Sequence, residues 1–283
     1  MGFSFLLKNQ IKFIRNNGFD IKMVSDTFGA DIKKIEENEH SPHIAISISR
    51  GFYPFKDLVT LFNLIKLFKK EKPIIVHSQS IKANLLAMLA AKVTKVPFRI
   101  QTMAGLISTK DNSFKSKILE KLEQVTYILS THVWPNSTSS YNYLIKNKLC
   151  NPNKLAVIAN GSSNGIDLKE FNKLNISDES KNEVKQKIEF DSNKFYFLFL
   201  GRFVKDKGIQ DLIKAFTLLQ KKYSTIELLI IGVQDKAVAQ IDDEVLAEIN
   251  NNKSIKVIGE VPRVTDYFDV ANRSEERRVG KEC

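Results

Sequence analysis

The sequence predicts an α/β fold arranged as two doubly wound parallel-sheet units. Three observations carry this reading. Short apolar runs alternate with amphipathic helical stretches along nearly the whole chain, the pattern of strands buried on both faces with helices between them. The alternation is broken once, between the glycines of the 161–165 segment and a polar stretch ending near Lys187, and then restarts. At 283 residues and 43% hydrophobic, the chain can bury two ordinary cores. The expected boundaries are 1–165 for the first unit, 166–272 for the second and 273–283 for a separate tail.

Each element follows from its local pattern. Phe5 to Asn17 has helical spacing (Leu6, Ile11, Phe13, Ile14), with Gly18 where a helix terminator belongs. No strand precedes it, so the first strand of this unit is expected to be missing. Ile21 to Val24 reads as a short strand, as does the run Ile44, Ala45, Ile46 and Ile48. Leu58, Leu61, Phe62, Ile65 and Phe68 make a helical stripe, and Pro73 introduces the strand Ile74 to Val76. Ala83 to Ala91 is an almost wholly apolar helix, as burial between sheet and neighbours requires. Phe98 to Thr102 is the next strand. Ile118, Leu122, Val125 and Leu129 line a helix, and Val133-Trp134 a short strand. Asn136 or Ser137 can cap the helix carrying Tyr141, Leu144 and Ile145. Leu155 to Ile158 reads as a further strand.

Beyond the break, Phe195 to Leu200, Ile226 to Ile231 and Ile255 to Ile258 are strands. Ile209 to Lys222 is a helix, another runs through Val245 and Ile249, and a last one spans Val264 to Asn272. The tail, RSEERRVGKEC, has no apolar period and resembles the translation of a sequencing adapter, so the native chain is expected to continue differently after about Asn272.

Composition narrows the function. The net charge of +11 calls for an acidic partner or anionic surface. The lysines are scattered without a basic–aromatic stripe, which argues against nucleic acid; phospholipid headgroups and phosphorylated substrates both fit. No apolar run approaches the ~18–20 residues of a membrane span, and no signal peptide is visible. Two cysteines, Cys150 and Cys283, point to a reducing compartment, hence a cytoplasmic location.

The chemistry-bearing segment is Gly201 to Gly208, GRFVKDKG, between the strand 195–200 and the helix from Ile209. A strand ending in such a turn aims Arg202, Lys207 and a helix N-terminus at one spot, which favours a phosphate. His77 and Lys82 follow the strand at 74–76, at the carboxyl end where parallel sheets place ligands. His77 there suits acid/base work or orientation of an acceptor. Gly105 permits close backbone approach. Gly161 to Gly165 matches G-x-S-x-G, but all four histidines lie upstream, the wrong order for a nucleophile elbow. His40 and His43 form an H-x-x-H interrupted by Pro42, with no further metal-ligand cluster. Neither G-x-G-x-x-G, nor a P-loop, nor D-x-D occurs.

Taken together, these segments resemble the family-4 (group 1) glycosyltransferases, over nearly all of residues 3–272. The carriers are Ser163-Asn164-Gly165-Ile166-Asp167, similar to the family's P-N-G-V-D linker, and GRFVKDKG, similar to its G-R-x-x-x-x-K-G donor loop. Val76 to Ala83 is similar to V-H-x-H-S-x-K-A, with Gln79 in place of the second His, and Ile258 to Pro262 is similar to the turn near the nucleotide base. The resemblance implies a GT-B architecture, two Rossmann-like domains with the second here incomplete. It implies a retaining, metal-independent transfer of sugar from a nucleotide-diphosphate donor to a glycan or polyprenyl-diphosphate-linked acceptor, with no cofactor beyond the donor. Arg202 and Lys207 are then the catalytic cations, and Gly201, Val261 and Pro262 complete the donor site. His77, Lys82, Gly105, Asn164, Gly165 and Asp167 are acceptor-side or linker residues.

The acceptor class implies work at the inner membrane face, which the basic stretch Lys66, Lys69, Lys70 and Lys72 suits. Two departures stand out. The family's downstream acidic donor-sugar motif is absent, so the chain as given is expected to be inactive. The histidine many members carry after the strand at 98–102 is replaced by Met103-Ala104. Two other readings stay open: a sugar-nucleotide epimerase of the same shape, and a non-catalytic basic protein that binds membrane or nucleic acid.

Overall fold

A computed structural model describes residues 7–27, 31–49, 51, 53–105, 114–162, 165–233 and 241–275. The chain divides into two compact units, Met1–Gly165 and Ile166–Cys283.

In the first unit, helix α1 (Gln10–Asn16) leads to strand β1 (Met23–Ser25), helix α2 (Ile32–Glu39) and strand β2 (His43–Ala45). Helix α3 (Pro54–Glu71), strand β3 (Ile75–Gln79), helix α4 (Ile81–Val93) and strand β4 (Phe98–Met103) follow. Helix α5 (Phe114–Leu129), strand β5 (His132–Pro135) and helix α6 (Thr138–Lys146) complete the unit. Strands β1 and β2 pair in parallel, and β3-β4-β5 form a second parallel sheet. The stripe expected on α3 holds only in part. Phe68 is buried and Leu61 and Ile65 pack at the core's border, whereas Leu58 and Phe62 are exposed. Leu64, outside that stripe, turns inward with Phe68 against Val76 and the all-apolar face of α4, where Met88, Ala90 and Ala91 are fully buried. Ser137 caps α6 by accepting from Ser140 N, as its position ahead of the apolar stripe predicts.

The second unit opens with helix α7 (Asp178–Lys187), then strand β6 (Phe195–Leu200), helix α8 (Ile209–Gln220), strand β7 (Ile226–Ile231) and helix α9 (Asp243–Asn251). Strand β8 (Ile255–Gly259), helix α10 (Thr265–Val270) and strand β9 (Arg273–Glu275) follow. All pairs in its sheet are parallel, in the order β8-β7-β6-β9. Every residue of β7 is buried. Leu228 and Ile230 face α8 and α9, while Leu229 and Ile231 face α7 and α10, so one strand supplies both cores.

Four expectations need correction. Leu155 to Ile158 is not a strand: only Leu155 bridges to Val133, and a 3-10 turn over Pro152–Lys154 swings the chain in and out of register. The polar stretch ending at Lys187 hides α7. Its single buried residue, Val184, leaves almost no apolar period, but Ser177 caps it, Asp178 and Glu179 sit in the first turn, and Lys185 and Lys187 in the last. Helix α2 was likewise without a visible stripe; Asp31 caps it by accepting from Lys34 N. Finally, Arg273–Glu275, from the segment expected to stand apart, pair with Phe197–Phe199. Asn272 sets that register, its backbone N donating to Tyr196 O and its side-chain oxygen accepting from Tyr196 N. Residues 276–283 lie outside the described residues.

Candidate active site

The GRFVKDKG segment lies at the carboxyl edge of the second unit's sheet, between β6 and α8. Its backbone is clamped to the end of β7: Gly201 N donates to Ile231 O at 3.0 Å and Phe203 N to Val233 O at 3.1 Å. Phe203 and Val204 are buried, which leaves Arg202 and Lys205 exposed and Lys207 half-buried. A 3-10 turn over Lys205–Lys207 closes on Gly208, whose φ of 72° suits a glycine, and α8 starts at the next residue. The N-cap of α8 is Gly208, which has no side chain to offer the N–H groups of the first turn. Lys205 is held by Asp242, Nζ to Oδ1 2.8 Å, which also accepts from Gln210. The cation pair named from sequence, Arg202 and Lys207, therefore flanks a third cation, Lys205, already committed to a carboxylate.

The glycine that seats this loop is Gly232 rather than Gly201. Gly201 has no positive φ, and a methyl added there would meet only side-chain atoms, Phe199 Cζ at 3.3 Å and Lys207 Cγ at 3.9 Å. Gly232, at the end of β7, has a φ of 137°, and a Cβ on it would stand 2.0 Å from the carbonyl oxygen of Gly201. Gly232 N in turn donates to Gly259 O at 2.9 Å, at the end of β8. Three adjacent strands thus finish in glycine, a ledge without side chains beside Arg202. Val261 is half-buried against the α7–α10 core and Pro262 is exposed, both just past β8 at the same edge.

In the first unit, His77 on β3 hydrogen-bonds through Nε2 to Thr102 Oγ1 at 2.8 Å and meets Trp134 edge-on, ring centroids 5.2 Å apart. Desolvation by the surrounding protein disfavours the imidazolium and pushes its pKa down to about 4, although the residue as a whole is exposed to solvent. A buried polar chain supports it from behind: Ser78 Oγ donates to Asn84 Oδ1, and Asn84 Nδ2 to Thr102 O. None of Thr102, Asn84 and Ser78 was singled out by sequence. Lys82 contradicts the simplest expectation of a cation offered to a ligand. It pairs with Asp57, and its Nζ donates to Ser49 O, Ser49 Oγ and Gly51 O. Three ammonium protons are thereby spent on holding the 49–57 segment to α4. On α5, burial together with the neighbouring Glu120 pushes the Glu123 carboxyl up to about 7, against a hydrogen bond to Tyr127 that favours its charge.

Among the described residues nothing lies within 4 Å of a Cβ added at Gly105, which borders residues outside the described set. Of the linker residues, Ser163 and Asn164 lie outside the described residues. Gly165 is exposed, and Asp167 Oδ1 accepts from Lys169 N and Glu170 N, capping the turn that opens the second unit.

Two parallel α/β units with a cationic, glycine-edged loop at the carboxyl end of the second sheet define the GT-B class of fold. The solved structure of Anabaena Alr3699/HepE in complex with UDP and glucose has the same architecture, with a TM-score of 0.72 at 16% identity, over 97% of this chain and 70% of that one. Residues 1–133 match the family described as Glycosyl transferase 4-like, and residues 180–272 match Glycosyl transferases group 1. The chain is 32% identical over 267 residues to the capsular polysaccharide biosynthesis glycosyltransferase CapM of Staphylococcus aureus, covering 94% of this chain and 68% of CapM. It is 29% identical over 196 residues to the UDP-Gal:alpha-D-GlcNAc-diphosphoundecaprenol alpha-1,3-galactosyltransferase of Escherichia coli, covering 68% of this chain and 48% of that protein. The chain belongs to the group 1 glycosyltransferases.

Proposed function

We propose that the protein moves a sugar from a nucleotide-diphosphate donor to a glycan or polyprenyl-diphosphate-linked acceptor during surface polysaccharide assembly, with retention of anomeric configuration and without a catalytic metal. The observation that carries this is the loop 201–208: an exposed guanidinium and a half-buried ammonium on a backbone clamped to β7, immediately before a helix whose N-cap is a glycine. Such a set of fixed positive charges binds the paired phosphates of a donor and stabilises the negative charge that grows on them as the bond to the sugar breaks. Removing one such contact costs roughly 3 kcal/mol of barrier lowering. Val261 and Pro262 border the nucleotide end of the same edge. On the acceptor side, neutral His77 orients a hydroxyl through its hydrogen-bonding edge, and Gly105 leaves space for the acceptor. The names of the two relatives, one capsular and one acting on a diphosphoundecaprenol substrate, support this acceptor class; work at the inner membrane face is part of the proposal.

Calorimetry of the protein with UDP-, GDP- and ADP-sugars tests the reading. One donor family is expected to bind, and Arg202→Ala and Lys207→Ala each to weaken it tenfold or more with the fold intact. Donor affinity unchanged in both variants rejects the proposed cation roles, and product analysis showing an epimerised donor instead of a transferred sugar rejects transfer.

A further inference from the structure

The connection between β7 and α9 places one carboxylate across the turn that carries Lys207. Asp242 stands at the N-cap of α9, yet its side chain makes no hydrogen bond to the first turn of its own helix. An aspartate at that position ordinarily accepts from an N–H of the helix it begins. Here both oxygens go to the neighbouring element instead: Oδ1 accepts from Lys205 Nζ at 2.8 Å, and Oδ2 accepts from Gln210 Nε2. Lys205 opens the 3-10 turn, and Gln210 lies in the first turn of α8. Between them run Lys207 and Gly208, the junction where the chain passes from one helix type to the other through a φ of 72°. One side chain therefore grips the junction from both ends. Asp242 is itself well seated, because Ile241 before it and Val245 after it are buried in the same core as Phe203 and Ile209. Its carboxyl is held below the ordinary value, first by the hydrogen bond from Lys205 and then by that from Gln210, so it is an anion at neutral pH.

We propose that Asp242 is a positioning residue of the donor loop: by bridging Lys205 and Gln210 it fixes the Lys207–Gly208 junction, and with it the direction of the Lys207 ammonium. The role rests on the donor reading given above and assigns Asp242 no contact with the donor. Gly208 is the reason the junction needs a clasp, since a glycine leaves more backbone conformations open than any other residue would. Charge and shape pull in opposite directions here. An anion beside a phosphate-binding loop repels the ligand and cancels the attraction of Lys205. Charge alone therefore predicts that deleting the carboxylate tightens phosphate binding, whereas loss of the clasp weakens it.

The test compares Asp242→Ala, which opens the clasp, with Asp242→Asn, which keeps it without the charge. The asparagine oxygen still accepts from Lys205, and its amide N–H donates to the oxygen of a flipped Gln210. Calorimetry uses UDP, GDP and ADP. For the nucleoside diphosphate that the wild type binds, D242A is expected to weaken affinity roughly fivefold, the scale of one partly exposed charged contact, and D242N to stay within about twofold. Adding Lys207→Ala to D242A should cost less than about threefold, against about tenfold or more in the wild-type background, because the ammonium is already misplaced. Amide hydrogen exchange of the ligand-free proteins supplies a readout that needs no donor: residues 207–212 should exchange about fivefold faster in D242A and at the wild-type rate in D242N. Affinity that is unchanged or tighter in D242A, equal losses in D242A and D242N, or unaltered exchange at 207–212 each overturn the proposal. A wild type that binds none of the three diphosphates rejects the donor loop and this role with it; binding that is present but unmoved by D242A rejects the role alone.

Discussion

Replacing Gly232 by alanine should damage the donor edge without touching any charged residue. The new Cβ would stand 2.0 Å from Gly201 O and 2.9 Å from Gly201 C, and a φ of 137° is disfavoured for any residue with a Cβ. The obstacle is backbone, so no rotamer change relieves it. Gly201 is fixed from below by its bond to Ile231 O, and the residue after next by its bond to Val233 O. Backbone strain of about 1–3 kcal/mol and overpacking of about 1–3 kcal/mol give a cost of about 3 kcal/mol to the second unit. With a urea m-value of about 1.5–2 kcal/mol/M for a unit of this size, its midpoint should fall by roughly 1.5–2 M. The single tryptophan, Trp134, is in the first unit, so fluorescence would miss the event. Hydrogen exchange followed by mass spectrometry on peptides from β6 and β7 localises it, and donor calorimetry reports the displacement of Arg202. Gly201→Ala is the control: it meets only side-chain atoms and should cost under about 1 kcal/mol. If Gly232→Ala proves as stable as Gly201→Ala, with β6 and β7 exchanging as in wild type, the claim that this glycine seats the loop is wrong.

Three further outcomes follow from the ionised groups. His77, depressed to about 4, is neutral in the fold and charged in the unfolded chain below about 6.5, so it makes stability fall as pH drops through that window. Glu123, raised to about 7, does the reverse, and its contribution falls as pH rises from about 4.5. Each slope is at most about 1.4 kcal/mol per pH unit before solvent screening reduces it. Urea titrations of the first unit between pH 4.5 and 6.5 should therefore become steeper toward acid-favoured stability in His77→Gln and toward neutral-favoured stability in Glu123→Gln; two parallel profiles would discard the pair.

Lys82→Met strands the Asp57 carboxylate, whose side chain is only 13% exposed, and removes the donor shared by Ser49 and Gly51. It should cost the first unit about 3 kcal/mol in a chemical melt, with donor affinity unchanged. Glu227→Ala leaves Lys194, 2.5 Å from the buried carboxylate, without that partner, and takes from Lys256, at 3.2 Å, one of its two carboxylates, Glu189 remaining at 3.5 Å. Both lysines reach solvent, so the loss in a melt should be about 2 kcal/mol, below the range for fully buried pairs.

The sequence was most informative where an element's pattern is local and wholly apolar. Strands β6 and β7 are legible to their observed limits because β6 is an unbroken apolar run and β7 is one interrupted only by Glu227, as strands buried in a parallel sheet read. Helix α7 escaped notice for the opposite reason: its stability comes from a cap, charges at its ends and one buried valine, none of which leaves a period. Strand β9 was invisible because its register is set by Asn272 reaching Tyr196, a contact across 76 positions.

The same distinction divides the candidate site. Arg202 and Lys207 are legible because the strand, turn and helix that position them are contiguous, so the residue types and their spacing carry the chemistry. What holds the loop is not contiguous. Gly232 lies thirty residues away, and its importance exists only once β6 and β7 are paired with Leu200 opposite Ile231, which brings the two turns against each other. Lys82 shows the converse error. A lysine early in a helix, at the ligand-bearing edge of a parallel sheet, reads as a cation for substrate, yet the carboxylate that claims it lies 25 residues upstream, at the start of α3. A charged residue's role at such an edge therefore depends on whether the fold brings it a partner. By that criterion Lys82 and Lys205 are structural, held by Asp57 and Asp242.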